Sequence, residues 1–273
     1  MRHDYYGISP EDLGKGAKLP ILKLGDSGEV FYELAAEMLE EIRRHNEKGE
    51  RTVFICPVGP VGQYPVFVRL VNRERVSLKN CWFFNMDEYL NDNGEPVDRS
   101  DPLSFRGFMD RAVYSQIAED LIMPENQRVF PNPEDPSSGD RLLSELGGPD
   151  MCVGGIGITG HIAFNEPQPE LNPEEFAALP TRVLTIRPET RTTNCIGDLG
   201  GALEDMPHRC VTIGMKQILS ARKIRLAVFR DWHRAVCRRA AYGEVTASFP
   251  ATLIQNHPDA LLIVNHTAAE KPF

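Results

Sequence analysis

The stretch Met151-Cys-Val-Gly-Gly-Ile-Gly-Ile-Thr-Gly-His-Ile-Ala-Phe-Asn-Glu-Pro167 decides the fold. It begins as a short apolar run, typical of a buried parallel strand. The run ends in glycines, which allow a sharp turn and let backbone N–H groups approach a ligand. His161 and Glu166 follow. Histidine has the side-chain pKa nearest neutrality, and a carboxylate five positions on can orient its ring. The stretch therefore predicts a proton-transfer site at the end of a central strand.

Two other interpretations of this stretch compete with that one. Gly155 to Gly160 spells G-x-G-x-x-G, the dinucleotide-binding fingerprint, which opens a helix inside a strand–helix–strand unit. Here prolines follow at 167, 169 and 173, and no strand with an acidic end appears about 20 residues later. The second alternative is a buried structural histidine at 161. The position of His161 between a glycine turn and a polar pair favours a proton-transfer role over a structural one.

The composition is that of an ordinary globular protein. The 273 residues are 41% apolar and 25% charged, enough for one large domain or two small ones. The net charge of −9 argues against a nucleic-acid or membrane-surface partner. The six cysteines are scattered, and no signal sequence or membrane-spanning run is visible. We expect buried thiols and a cytoplasmic protein.

Apolar runs alternate with helical patterns along the chain. An amphipathic helix is predicted between Asp26, a capping residue, and Gly49, a stop signal. Besides the central strand, buried strands are predicted at 52–56, 81–86, 181–186, 210–214, 224–229 and 260–264. This alternation predicts an α/β three-layer sandwich with a mostly parallel, modified Rossmann-like sheet. We expect one domain over residues 19–273, preceded by an extension at 1–18 that packs on a partner subunit.

Two other loops end strands of the predicted sheet. The first follows the strand at 52–56, where Gly59, Gly62 and Gln63 precede a helix. Such a loop either holds an anion on the helix N-terminus or is a plain turn. The second carries Asp87 and Glu88 directly after the strand at 81–86. An acidic pair at a strand end is either a pair of helix caps or a catalytic base with its neighbour.

The sequences Gly160-His-Ile-Ala-Phe-Asn-Glu-Pro167 and Asn85-Met-Asp-Glu-Tyr89 resemble the glucosamine-6-phosphate deaminase/isomerase family, which is related in fold to the 6-phosphogluconolactonases. The resemblance runs from about Leu19 to Val264. It implies an aldose–ketose isomerisation of an amino-sugar phosphate with loss of ammonia, without metal or other cofactor. In that reaction Asp87 moves a proton between C2 and C1, His161 opens the sugar ring, and Glu166 orients the histidine.

The resemblance also implies the substrate contacts and a movable lid. The phosphate is expected on the first glycine loop, and the lid at residues 170–180, which otherwise form a surface loop. The sequence departs from the family at three positions. The family has an aspartate at the position of Thr159, and it has basic residues at the positions of Ile196 and His233. We expect Thr159 to make His161 a weaker base. The expected substrate-binding residues are Gly59, Gly62, Gln63, Glu88, Gly157, Thr159, Gly160, Asn165 and His233.

Three functions remain open from the sequence. The first is a sugar-phosphate isomerase or deaminase, expected to be a homo-oligomer, whose substrate has diverged. The second is a non-catalytic sugar-phosphate sensor on the same fold. The third is a lactone hydrolase that uses the histidine as its general base. The Asn165-Glu166 pair and the sequence around Asp87 favour the deaminase.

Overall fold

The computed structural model describes residues 3–273. Within them lie ten strands and nine α-helices, which are joined by loops and short 3-10 helices. The strands are β1 (Ile21–Leu24), β2 (Thr52–Cys56), β3 (Cys81–Asn85), β4 (Asp87–Leu90), β5 (Arg128–Val129), β6 (Met151–Gly155), β7 (Arg182–Thr185), β8 (Arg209–Thr212), β9 (Lys223–Val228) and β10 (Ala260–Asn265). The helices are α1 (Ser27–Lys48), α2 (Gln63–Glu74), α3 (Phe105–Ala112), α4 (Ser137–Glu145), α5 (Pro173–Ala177), α6 (Pro188–Asp198), α7 (Met215–Leu219), α8 (His233–Tyr242) and α9 (His266–Ala269).

The main sheet has seven parallel strands in the order β1-β10-β9-β6-β2-β3-β5. Its central strands are buried on both faces, which is why they read as continuous apolar runs. One core packs α1 and α2 against the sheet, and a second core packs α7 and α8 against the other face. The predicted three-layer α/β fold in a single domain is confirmed.

Helix α1 shows how the sequence signals act locally. The Asp26 carboxylate accepts the Glu29 backbone N–H at 2.9 Å, which satisfies a donor that the first helical turn leaves free. Gly49 ends the helix with a φ of 68°, a conformation that glycine adopts without steric cost. The predicted bounds of this helix are therefore correct.

A second sheet of three antiparallel strands, in the order β4-β8-β7, covers the carboxyl edge of the main sheet. Met86 joins the two sheets, because its N–H donates to Cys56 O and its carbonyl accepts from Ile213 N. The strands predicted at 181–186 and 210–214 exist, but they pair here and not in the main sheet. The half-exposed pattern of β7 is typical of such an antiparallel edge.

The structure bears on three predicted segments. The apolar pattern from Phe105 predicts a helix up to Ile122, but the helix stops at Ala112 because Val113 leaves the helical conformation. The segment at 170–180 contains α5, whose Phe176 is fully buried in the main core, so this part is packed on the fold and a movable lid stays a prediction. Residues 3–18 lie against α8 of their own chain, with Leu13 buried. The domain boundary after residue 18 stays a prediction.

All six cysteines are buried and unpaired. Among the described residues, no helix combines the length and apolar character needed to cross a bilayer.

Candidate active site

A cleft opens at the carboxyl ends of the central strands, where ligands bind in open α/β sheets. Its floor is formed by the backbone segments 57–60 and 155–157, which follow or end β2 and β6. Asp87 and His161 both line the cleft. Helix α6 contributes one side, and residues 229–233 after β9 contribute another. The structure therefore brings the predicted base and the predicted ring-opening histidine into one cavity.

Asp87 is a nearly buried carboxylate at the start of β4, with 7% of its surface exposed. The Thr212 hydroxyl donates a hydrogen bond to its Oδ1. Burial raises the pKa of Asp87 to about 7, although the hydrogen bonds from Thr212 and the Phe164 backbone act in the opposite direction. A carboxyl group with this pKa can both take up and release a proton near neutral pH.

His161 is held by two hydroxyl groups and one carboxylate. Its Nδ1 lies 2.8 Å from Thr159 Oγ1, 3.3 Å from Thr190 Oγ1 and 3.5 Å from Glu166 Oε2. Thr159 also donates to Glu166 Oε2 at 3.1 Å. Burial opposes the charge of Glu166, but its contacts with His161 and both threonines lower its pKa below the ordinary value. Glu166 is therefore an ionised acceptor behind the histidine.

Gly157 fixes the position of the histidine ring from the other side. Its N–H donates to His161 O at 2.9 Å. A Cβ atom at this position would lie 1.9 Å from the ring Cε1 and 2.0 Å from Nε2. Only glycine leaves room for the ring, so the close approach explains the glycine at this strand end.

Replacing Gly157 with alanine is expected to lower kcat for the expected sugar-phosphate substrate by about a hundredfold. The reason is that the added methyl group displaces the His161 ring by an ångström or more. Steady-state kinetics measures this loss, and circular dichroism checks that the fold is kept. Gly139→Ala in α4 is the matched control, since its Cβ would meet nothing within 4 Å. Equal activity of the two variants would contradict the role of Gly157.

The first glycine loop is only partly in the cleft. Gly59 lines it with a φ of 130°, but Gly62 and Gln63 do not. Gly62 lies against the Phe31 ring, and a Cβ atom there would come within 2.3 Å of that ring. Gln63 is fully buried and donates to Pro60 O at 2.8 Å. Because both residues serve loop packing, the predicted anion contacts at Gly62 and Gln63 are not supported by their positions.

His233 lines the cleft but does not carry the positive charge that a phosphate contact needs. Its Nδ1 accepts the N–H groups of Phe229 and Arg230 at 3.1 and 2.9 Å, and its Nε2 donates to Ile156 O at 3.0 Å. Burial lowers the pKa of His233 to about 3, so the ring is neutral. Both ring nitrogens hold the loop after β9, and a contact of His233 with the substrate stays a prediction.

Arg230 brings a positive charge to the cleft at a position that the sequence interpretation did not name. It lines the cleft, and it is the one Arg or Lys to do so within residues 3–273. Arg234 instead donates to Thr267 O, and Ile196 is 69% exposed outside the cleft lining. Arg230 is the second residue after β9, and that position near a strand end was the signal from which it could have been predicted.

Three further predicted contacts belong to the framework and do not line the cleft. Glu88 accepts the N–H groups of Phe105 and Arg106 at 2.9 and 2.8 Å and so caps α3. Asn165 donates to Ile162 O and Ile213 O and is fully buried. Gly160 adopts a φ of 82° and packs under the Phe249 ring. Both interpretations of the acidic pair therefore apply, one to each residue: Asp87 is a cleft carboxylate and Glu88 is a helix cap.

Comparison with known proteins bears on the whole chain. A scan against models of protein families gives no match. A curated glucosamine-6-phosphate deaminase of Shewanella loihica is 32% identical over 260 residues, which cover 93% of this chain and 90% of that protein. The chain belongs to the glucosamine-6-phosphate deaminase family. The resemblance found in the sequence is therefore confirmed.

Solved structures with the same fold include both a deaminase and a lactonase. A monomeric glucosamine-6-phosphate deaminase of the NagB superfamily superimposes with a TM-score of 0.79 at 24% identity, covering 91% of this chain and 98% of that one. A 6-phosphogluconolactonase from Trypanosoma cruzi gives a TM-score of 0.62 at 18% identity, covering 91% and 95%. At these identities the likeness concerns the fold, which deaminases and lactonases share.

One group in this deaminase-family chain has the residue types of a metal site. Glu41, His45 and Asp150 are buried with their ligand atoms within 4.8 Å of one another, and no other such group occurs among the described residues. Cationic side chains already compensate both carboxylates: Lys223 Nζ lies 2.8 Å from Glu41, and Arg222 lies 3.4 Å from Asp150. The arrangement fits an ion-pair network that ties α1 to the sheet better than it fits a metal site.

Proposed function

We propose that this protein is an isomerase and deaminase of an amino-sugar phosphate, with glucosamine 6-phosphate as the first candidate substrate. The observation that carries the proposal is one cleft lined by Asp87, whose pKa is about 7, and by His161 with an ionised carboxylate behind it. Family membership supports the same reaction. The proposed catalytic set is Asp87, His161 and Glu166.

The reaction begins with opening of the sugar ring. His161 accepts the proton of the C1 hydroxyl and returns a proton to O5 as the C1–O5 bond breaks, leaving an aldehyde at C1. Glu166 stabilises the positive charge on the histidine during this transfer. A base with a neighbouring carboxylate suits such a two-way proton transfer.

The isomerisation then uses a single carboxylate. Asp87 removes the proton from C2 of the protonated amino sugar, and a proton of the ammonium group passes to the aldehyde oxygen, which gives an enolamine between C1 and C2. The same proton is delivered to C1, so that C1 becomes a hydroxymethyl group and C2 an iminium ion. Water adds to C2, and ammonia leaves with formation of the ketone. Because Asp87 gives back the proton that it takes, its pKa near 7 suits both halves of the step.

Replacing Arg230 with glutamine is expected to raise KM for the sugar phosphate by about 10- to 100-fold with little change in kcat. A charge-assisted hydrogen bond to an anion contributes about 1.5–3 kcal/mol, and its loss weakens the substrate and the transition state alike. Arg234→Gln is the control, since Arg234 donates to Thr267 O and does not line the cleft. An equal rise of KM for unphosphorylated glucosamine would show that Arg230 does not bind the phosphate.

The function is tested by incubation with glucosamine 6-phosphate, its galacto-isomer and 6-phosphogluconolactone, with separate measurement of ammonia and of lactone hydrolysis. Ammonia release from an amino sugar supports the proposal. Lactone hydrolysis without ammonia would replace it by a hydrolase. Stabilisation of the protein by the sugar phosphate without turnover of any of the three compounds would indicate a sensor.

Self-association and a cytoplasmic location stay predictions. The solved deaminase that this fold matches is described as monomeric, so a homo-oligomer is not implied by the fold. Sedimentation equilibrium of the purified chain measures the assembly state directly.

A further inference from the structure

The hydrogen bonds behind His161 define the position of its protons. Glu166 is ionised and can only accept, and Thr159 donates to it at 3.1 Å. A hydroxyl group has one proton, so the Thr159 oxygen must then accept from the atom 2.8 Å away, which is His161 Nδ1. The chain of donors therefore runs from Nδ1–H to the hydroxyl and from the hydroxyl to the carboxylate.

The opposite arrangement has a clear cost. With Nδ1 unprotonated, a threonine would have to turn its proton away from Glu166 towards the ring. Glu166 Oε2 would then face a nitrogen lone pair at 3.5 Å, and Glu166 Oε1 is already buried without a partner in the structure. The buried carboxylate would then lack hydrogen bonds at both oxygens, which is unfavourable for an ionised group.

Thr190 occupies an equivalent position on α6. Its side chain is fully buried, and its Oγ1 lies 3.3 Å from His161 Nδ1. Thr190 also helps to lower the pKa of the Glu166 carboxylate. Two hydroxyl groups from different segments therefore lie between the ring and the same anion. Since Thr193 and Asn194 of the same helix line the cleft, α6 reaches both the substrate space and the back of the histidine.

We propose that Thr159 and Thr190 form a hydroxyl relay that holds His161 with its proton on Nδ1 and couples the ring to Glu166. The relay leaves the Nε2 lone pair available as the base, and Nε2 has no hydrogen-bond partner among residues 3–273. In this chain two neutral hydroxyls thus perform the orienting task that the family assigns to an aspartate at the position of Thr159. Both threonines are positioning residues, since they act through His161. This inference deepens the proposed function, because the relay serves its ring-opening base.

The first test uses the unaltered protein. Two-dimensional ¹⁵N NMR distinguishes a protonated from an unprotonated ring nitrogen, and the signals of His161 are assigned by their loss in His161→Gln. The relay predicts that Nδ1 carries the proton and Nε2 does not, at a pH where the ring is neutral. A ring protonated mainly on Nε2 would overturn the proposal, whatever the enzyme does to any sugar.

The second test separates the hydroxyl groups from the shape of the side chains. Thr159→Val and Thr190→Val keep the volume and lose the hydroxyl, whereas Thr159→Ser and Thr190→Ser keep it. We expect each valine variant to lower kcat by about 10- to 100-fold, because a ring that is no longer held in place loses the geometry of the proton transfer. KM is expected to change little, and the serine variants are expected to stay near the wild-type rate.

Thr192→Val is the matched control on α6, since Thr192 donates only to Pro188 O within its own helix. Valine and serine variants with equal kcat would refute the relay. If a valine variant fails to fold, the tautomer of the wild-type protein still decides the question. A protein that turns over none of the three test compounds but keeps its proton on Nδ1 would contradict the proposed function and leave the relay intact.

Discussion

Replacing Asp87 with asparagine is expected to lower the rate of ammonia release by roughly 10²–10⁴-fold, the contribution of a positioned general base. Asparagine has nearly the same shape and can still accept the Thr212 hydroxyl through its amide oxygen. The fold should therefore be kept while the proton acceptor is lost. Ammonia release is measured over a range of substrate concentrations, so that kcat and KM are obtained separately.

The control for this variant is Asp98→Asn, which removes an exposed carboxylate outside the cleft lining. Asp98→Asn is expected to keep the wild-type kcat. If Asp87→Asn retained more than a tenth of the wild-type kcat, another group would have to be the base.

Asp87→Asn is expected to lower activity but to raise stability relative to the wild type as the pH increases. Burial raises the pKa of folded Asp87 from 3.8 to about 7, so the folded state holds a proton that the unfolded chain releases. This contribution to stability is complete below pH 4 and is lost as the pH rises through 7. Asparagine does not titrate. Urea unfolding should therefore show the variant gaining stability relative to the wild type between pH 4 and 8, while kcat/KM of the wild type rises with pH through about 7.

Replacing Arg238 with methionine is expected to lower the free energy of unfolding by about 3–5 kcal/mol, among the largest effects of a single substitution. The side chain is fully buried in α8, and each of its five N–H groups donates to a backbone carbonyl. The acceptors are Ile8, Arg234, Ala269 and Glu270. Methionine fills a similar length but leaves buried acceptors without partners.

Urea unfolding of Arg238→Met is compared with that of Arg222→Gln. The Arg222 side chain is 71% exposed and has one ion pair, with Asp150 at 3.4 Å, so its loss should cost less than about 1 kcal/mol. Arg238→Lys should fall between the two, because an ammonium group has three donors where the guanidinium has five. Equal stability of the two arginine variants would show that the carbonyl contacts of Arg238 contribute nothing.

The fold and the placement of Asp87 and His161 in one cleft were predictable because both depend on local patterns. The apolar run before Gly155 defines a strand whichever residues lie beside it, and His161 with Glu166 reaches the site through the turn that follows. Asp87 was predictable for the same reason, since it directly follows a buried strand. The carboxyl ends of neighbouring parallel strands meet at one edge of a sheet, so their polar residues converge.

The features that the sequence did not reveal are contacts between segments far apart in the sequence. His233 and Arg230 are both basic residues after β9, and only the three-dimensional contact with Ile156 O shows that the histidine is committed to the framework. Gln63 has the right position for an anion contact but folds back on Pro60. Thr190 was missed altogether, because nothing near it in the sequence indicates that α6 lies behind His161.

The short strand β4 places two different tasks on adjacent residues. Side chains of a strand alternate between its faces, so Asp87 faces the cleft while Glu88 faces the N-terminus of α3. A shift of this strand by one residue would exchange the two side chains, putting the helix anchor into the cavity and the cleft carboxylate under the helix. Met86 alone separates β3 from β4, so the length of this connection decides which carboxylate enters the cleft.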